Sequence, residues 1–321
     1  MAHDFLKPEV LARAAIGLAN TELILAKTVW RDAETYFNGS VGPNGDTIQI
    51  GLPGVTNAAR ELAWRSASRE IITDDIVERK VDVKLDTYLY KSIDLLREEQ
   101  TLDIEDFGVQ VLSPMTTSVA EGAEAKLASI IKGAPYEETI QAGTGDRAIY
   151  NALVDASKFL NANRVPRQGR VAIIGSAMEA RALKDPTLVD VDRSGSDSAL
   201  REAQIGKIAG YTLIASDAID ADAIYVYHPT AFPTVFRAPK PARSVPFSQS
   251  VQADSVSLTY WESLNPKVDS DRAFLGTFFG GTVLKDPKDA TKPTTNLKFV
   301  RGVKIAAPAG DETGGGEGAG E

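Results

Sequence analysis

The sequence has no cysteine and only two histidines, His3 and His228, among 321 residues. Without cysteine there is no disulfide framework, no thiolate nucleophile and no Cys-ligated metal site. Two histidines so far apart leave little material for zinc chemistry or for an imidazole-based triad. Basic residues are in the minority. Thirty-five Lys and Arg against 44 Asp and Glu give a formal charge of −9, which argues against a chain that grips nucleic acid along a broad basic face. A long apolar run is missing as well. The most apolar stretch, 223–236, is broken by His228, Pro229 and Pro233, so no membrane span is expected. The opening MAHDFLKPEV carries Asp4 and lacks the apolar region of a secretory signal, so assembly in the cytosol is expected.

What remains is globular in composition, 43% hydrophobic and 25% charged. At roughly 150 residues per domain the length suggests about two domains. A chain of this size can bury about 75% of its unfolded surface.

Residues 7–33 read as a helical arm. Pro8 suits a first helical turn, and Val10, Leu11, Ala14, Ala15, Leu18 and Ala19 recur at three- and four-residue spacing. Leu23, Ile24, Leu25, Val29 and Trp30 follow as a second apolar group. An arm this apolar needs cover, either from the rest of the chain or from a neighbouring subunit. After a turn-rich break at 38–46, a short strand at 47–50 enters a polar excursion over 51–76. The chain returns through 80–90, where Val81, Val83, Leu85, Thr87 and Leu89 alternate with polar residues and tyrosines at a period of two. The two strands predict an extended hairpin. Such a ribbon is marginal alone in water and is expected to lie on another surface.

Leu112, Met115, Val119, Ala123, Leu127 and Ile130 form one helical stripe within 103–132, with Pro114 marking a start or a kink and Gly133 with Pro135 the stop. Residues 144–245 read as a compact α/β piece: a helix over about 146–162, a buried strand at 170–175, a helix opened by the capping-box spelling Ser176 to Glu179, and strands at 211–215 and 223–227. Five prolines between 229 and 246 make that stretch irregular or edge-like. Paired strands are expected at 255–261 and 272–284, and a last one at 297–305. The Gly- and Glu-rich tail from Gly310 to Glu321 has almost nothing to bury and is expected to be disordered. The fold class is α+β.

Motifs that carry chemistry are few. Gly143 to Ala148 matches G-x-G-x-x-A, but a dinucleotide site needs a buried strand just before it, and Pro135 to Ile140 is short and acidic. A linker followed by a helix start accounts for it. Asp190 to Gly195 imitates half an EF-hand loop, yet the twelfth position is Arg201 where a bidentate Glu is required. Ser176 follows a strand and precedes a helix, but Ile174 and Met178 replace both glycines of a nucleophile elbow. His228 reads as a loop or core histidine. Asp74–Asp75 and Glu98–Glu99 are adjacent pairs whose side chains diverge, as on solvated faces. No catalytic constellation, metal site or cofactor site is expected.

Several segments share the wording of one family: FLKPEVLARAAIGLANTELILAKTVWRD at 5–32, VDVKLDTYLYKSIDLLREEQTLDIEDFGVQVLSPMTTSVAEGAEAKL at 81–127, GRVAIIGSAMEARAL at 169–183, EAQIGKIAGYTLIAS at 202–216 and VDSDRAFLGTFFGGTVL at 268–284. Together they resemble the major capsid proteins of tailed actinobacterial phages, which have the Hong Kong 97-like fold. The resemblance implies an N-arm at 1–42, an E-loop at 43–92 lying across a neighbouring subunit, and a peripheral domain with its spine helix at 93–139. It further implies an axial domain at 140–250, peripheral strands with a threefold loop at 251–290, and a C-terminal strand and tail at 291–321. The implied function is self-assembly, as pentamers and hexamers, into an icosahedral virion shell around double-stranded DNA, without enzyme activity, cofactor or membrane. A portal, a scaffolding protein and decoration proteins are the implied partners. A subunit charge of −9 fits a shell that touches its DNA weakly and without sequence specificity; Arg13, Arg164, Arg167 and Arg170 are the basic groups that could face inward, with solvated surface as the plainer reading.

Within the E-loop, Leu52, Val55, Leu62 and Trp64 are the expected apolar inter-subunit contacts and Arg60, Arg65 and Arg69 the polar ones. At the threefold loop the expected contacts are Lys267, Asp269, Asp271 and Arg272. Some relatives weld subunits through a Lys–Asn isopeptide bond near the E-loop tip. No Lys occurs here between Lys27 and Lys80, so no such crosslink is expected. No large axial insertion and no long scaffold-like N-terminal segment are visible, so scaffolding is expected from a separate chain or a longer precursor. Two alternatives stay open: an encapsulin-like compartment shell, and a nucleotide-dependent enzyme using Gly143 to Ala148.

Overall fold

The computed structural model describes residues 8–31, 46–52, 59, 61–62, 64, 71, 73, 78–96, 107–145, 147–184, 207–240, 245, 247–253, 256–265, 270–287 and 296–308. Helix α1 (Pro8–Glu22) is followed by a 3₁₀ turn at Leu25–Thr28, then by β1 (Thr47–Leu52), β2 (Arg79–Lys84) and β3 (Thr87–Leu96). A π-type turn at Gly108–Leu112 leads into α2 (Ser113–Lys132), then β4 (Thr139–Gln141) and α3 (Ala148–Ala162). Next come β5 (Val171–Ile174), α4 (Ser176–Lys184), β6 (Lys207–Ile208), β7 (Tyr211–Ala215) and β8 (Ala223–Tyr227). The chain closes with β9 (Thr234–Arg237), β10 (Phe247–Ala253), β11 (Val256–Asn265), β12 (Ser270–Gly281), β13 (Asp286–Pro287), β14 (Leu297–Lys298) and β15 (Gly302–Ala306). Two compact units result, one from 1–130 with 232–298 and one from 131–231 with 299–321.

The first unit is built on an antiparallel sheet in the order β10-β11-β12-β3, with β9 pairing the end of β12. Leu11, Ala12, Ala15, Ile16 and Ala19 of α1 and Met115 and Val119 of α2 join Leu95, Leu258, Tyr260, Ala273 and Leu275 in one buried core. Each large apolar side chain buried in this way is worth about 1.5–3 kcal/mol. The expected hairpin is present: β1 and β2 pair antiparallel from Thr47↔Lys84 to Leu52↔Arg79. Ile48, Ile50 and Val83 bury its inner face with Val235.

The single strand expected at 80–90 is two strands. β2 belongs to the hairpin ladder and β3 to the sheet, where Thr87 to Leu96 pair with Phe279 to Ser270. Between them the Leu85 N–H donates to the Asp46 carbonyl at 2.7 Å. The alternation of apolar residues continues through the break, so a period of two cannot reveal where the backbone changes partner. Gly280 of β12 passes so close that a Cβ there would meet the Lys84 carbonyl.

The second unit holds a mixed sheet in the order β4-β15-β8-β5-β7-β6. β5 runs parallel to β7 and antiparallel to β8, while β15 runs antiparallel to β8 and parallel to β4. Helix α3 buries Ile149, Ala152, Leu153, Ala156 and Leu160, one stripe at helical spacing. They pack with Met178 of α4 and with Ile174, Ile224, Val226, Val303 and Ile305.

The unit boundaries differ from the expected segments at both ends. β9 and β10, expected inside 140–250, lie in the first unit's sheet, and β15, expected with the C-terminal segment, completes the second unit's sheet. Period-two patterns mark strands but do not name their partners. The helix expected over 103–132 is regular only from Ser113, with Pro114 in its first turn. The strand expected at 297–305 is divided into β14 and β15. The proline-rich stretch expected to be irregular contains β9. The tail at 310–321 lies outside the described residues.

Candidate functional site

Among the described residues no group of three His, Cys, Asp or Glu could hold a metal ion. None of the described helices is long and apolar enough to cross a membrane. The loop from Gly143 follows β4, an edge strand of three residues with both ends exposed, and leads into α3 through Arg147 at φ 66°. A dinucleotide fingerprint requires a buried inner strand at that place. A recess of about 200 Å³ lies beside the loop, lined in part by Thr144, Arg181 and Lys184. The half-EF-hand at 190–195 and the pairs Asp74–Asp75 and Glu98–Glu99 lie outside the described residues.

Gly175 and Ser176 have a packing explanation. The backbone of Asp220 and Ala221 crosses directly over Gly175, and a Cβ there would sit 2.6 Å from the Ala221 carbonyl oxygen. The Met178 N–H donates to that same carbonyl at 3.2 Å. His228 is a bracing residue. Its Nδ1 meets the Thr230 hydroxyl at 2.8 Å, and Arg301 Nη1 donates to that hydroxyl at 2.6 Å. Burial first, and then the charges of Arg301 and Arg170, hold its pKa below the usual imidazole value.

Of the basic groups considered for the shell interior, Arg170 is only 4% exposed and is consumed by its own chain. It donates to the carbonyls of Pro166 and Val165 at 2.8 and 2.7 Å and to Asn161 Oδ1 at 2.8 Å. Arg13, Arg164 and Arg167 are exposed.

Leu62 and Trp64 are 53% and 89% exposed, and Ile71, which the sequence reading passed over, is 80% exposed. Leu52 is 8% exposed, already covered by its own chain at the end of β1. Val55, Arg60, Arg65, Arg69, Lys267 and Asp269 lie outside the described residues. Asp271 and Arg272 belong to β12, and Arg272 Nε and Nη2 donate to Asp94 Oδ1 and Oδ2 at 2.6 and 3.0 Å. The exposed apolar groups are therefore concentrated on the excursion between β1 and β2. Two more, Tyr88 and Tyr90, are 43% and 61% exposed on β3. The signal for them was present in the alternation itself, which puts a tyrosine at every outward position between Thr87 and Leu89 and beyond.

No protein-family model matches the sequence, and no curated protein matches it. Solved structures do. A structure from Mycobacterium phage Che8 superimposes with a TM-score of 0.57 at 16% identity, over 88% of this chain and 90% of that one. The capsid structure of cyanophage P-SCSP1u gives 0.55 at 14% identity, covering 82% and 84%. A virus-like particle from Pyrococcus furiosus gives 0.50 at 14% identity, covering 92% and 98%. This chain has the Hong Kong 97-like fold shared by phage capsid subunits.

Proposed function

We propose that this protein is the major capsid protein of a tailed phage, a non-enzymatic subunit that assembles into an icosahedral shell around double-stranded DNA. The observation that carries the reading is the excursion between β1 and β2. In a chain with a capsid fold it bears Trp64 at 89% exposure and Ile71 at 80%. Large apolar groups left in water on an isolated subunit mark surfaces that an assembly covers. In this reading residues 1–42 form the N-arm and 43–92 the E-loop across a neighbour. Residues 93–139 and 251–290 supply the peripheral domain and 140–250 the axial domain, with 291–321 closing the chain. The structure adds that β9 and β10 serve the first unit and β15 the second.

The subunits would be grouped in fives and sixes, with a portal, a scaffolding protein and decoration proteins as further partners. Assembly would take place in the host cytoplasm. With a formal charge of −9, the subunit would hold packaged DNA weakly. The E-loop would make no Lys-based crosslink, since no Lys lies between Lys27 and Lys80.

A compartment shell is the second reading, favoured by the 98% coverage of the Pyrococcus furiosus particle subunit. Sedimentation velocity and negative-stain microscopy of the protein expressed with its neighbouring genes test both. Megadalton shells, rings of five or six, or tubes support a shell protein, and a monomer that persists with a scaffolding partner refutes it. Nuclease-protected DNA inside the particles favours the phage reading, whereas DNA-free particles filled with one enzyme favour the compartment.

A further inference from the structure

The face of the first unit's sheet that points away from α1 and α2 carries an aromatic ladder. Tyr88 and Tyr90 stand on β3, Phe274 and Phe278 opposite them on β12, and Trp261 beyond on β11. Trp261 stacks on Phe274 at 4.5 Å between ring centres, Tyr90 stacks on the same ring at 5.7 Å, and Tyr88 lies 4.7 Å from Phe278. Every side chain of the ladder sits at an outward register position, and the alternate positions, Leu89, Leu258, Ala273 and Leu275, serve the core. The ladder is therefore an addition to a sheet that already has its core. Tyrosine and tryptophan in such a patch offer large rigid area at low entropic cost, as interface centres do.

The same chain carries a second uncovered apolar set: Leu62, Trp64 and Ile71. The hairpin separates the two sets. Its Thr47↔Lys84 end adjoins the entry to β3, just before Tyr88, and the excursion leaves from the Leu52↔Arg79 end. Five strand steps of about 3.4 Å put the excursion's roots about 17 Å along the ribbon from that entry. The excursion thus leaves from the ribbon's far end while the ladder begins at its near end. A second copy, whose ribbon arrives from elsewhere, can bring the two sets together without any reversal of the chain.

We infer that the Tyr88–Tyr90–Phe274–Phe278–Trp261 ladder is the receptor for Leu62, Trp64 and Ile71 of a second copy of this chain. The inference rests on the shell reading and names the surface on which the excursion lands. Trp64 is the anchor, since its indole has the largest area to lose from water, and it would stack against the exposed tyrosine rings. The tyrosine hydroxyls remain at the rim, where they can donate to the polar backbone of the arriving segment.

The test replaces Trp64 with the photoreactive p-benzoylphenylalanine and irradiates particles assembled from mixed ¹⁵N-labelled and unlabelled chains. The expected result is a crosslink joining a heavy chain to a light one, in peptides that contain Tyr88 and Tyr90 or Trp261 and Phe274. Crosslinks confined to one chain, or mapped to another surface of intact shells, overturn the docking site and leave the shell reading standing. A chain that forms no particles overturns both. In parallel, the double variant Tyr88→Ser, Tyr90→Ser alters two exposed residues, and its circular dichroism should match wild type. Its assembled fraction should fall at least tenfold, and undiminished assembly would sink the inference.

Discussion

Glu124 of α2 holds the backbone amide of Leu25: the Leu25 N–H donates to Oε2 at 2.8 Å, and the next amide, of Ala26, donates to Oε1 at 3.1 Å. One carboxylate thereby satisfies the first donors of the 3₁₀ turn and ties the segment after α1 to the long helix, across 99 residues of sequence. Burial pushes the Glu124 pKa up, against the opposing pull of the Leu25, Ala26 and Ile24 amides and of Lys27. A raised folded-state value means that the contribution to stability is full below the ordinary carboxylate range and is lost as pH rises through the raised value.

Truncation by Glu124→Ala leaves two amides without their acceptor, at a cost of about 1–3 kcal/mol. Hydrogen exchange at Leu25 and Ala26 should accelerate in the variant, while exchange at the centre of α3 stays as it was. Glu124→Gln keeps an acceptor but no titrating group, so it should retain much of the protection and lose its pH dependence. Equal exchange in wild type and Glu124→Ala would show that the contact does not hold the arm.

His228 supplies a pH dependence of the opposite sense. Its depressed pKa means that the neutral imidazole is the form that fits beside Arg301 and Thr230. The stabilisation is full above the ordinary imidazole value of about 6.5 and is lost as pH falls through that value and on through the depressed one. Melting temperatures of wild type and His228→Gln should converge as pH falls from 7.5 toward about 5. A gap that is constant across this range would remove the histidine as its cause.

The periodic elements were legible because their cause is local. The α3 stripe, the β5 run and the β1–β2 alternation follow from side-chain spacing alone, and each lies within a few residues of its expected place. The partnerships were not legible. β15 reaches across the chain to lie between β4 and β8, and no residue of Gly302–Ala306 encodes that neighbour locally. The candidate surface divided in the same way. Leu62 and Trp64 could be read as exposed apolar residues in a polar stretch, but the ladder draws Tyr88, Trp261 and Phe274 from three strands that come together only in the folded sheet.

Gly175 is a steric requirement. A methyl group there would enter the space of the Asp220 and Ala221 carbonyls, which belong to backbone that cannot rotate aside. The same short stretch fixes the Gly175 and Met178 amides through the carbonyls of Ala223 and Ala221. Gly175→Ala should destabilise the subunit by about 3 kcal/mol, the upper end of the usual range for overpacking. Urea denaturation measures it. A variant within about 0.5 kcal/mol of wild type, the range of an ordinary surface substitution, would contradict the close approach.

Arg272 and Asp94 form an exposed bidentate pair, and Asn265 Nδ2 adds a third bond to the same carboxylate at 3.3 Å. The hydrogen bond from Arg272 is the main reason that the Asp94 pKa lies below the ordinary carboxylate range. Its contribution is therefore present above that range and fades as pH falls through the lowered value, and salt screens it because both partners face solvent. If Arg272 works through Asp94, then Arg272→Ala and Asp94→Ala should reduce shell yield equally, and the double variant should be no worse than either single one. If Arg272 instead serves a neighbouring subunit directly, its loss should be the more damaging, because Asp94→Ala leaves the guanidinium free for that partner. The Arg272–Asp94 bonds close both forks of the guanidinium within one chain, so equal yields are the expected outcome, read from particle peaks in sedimentation velocity.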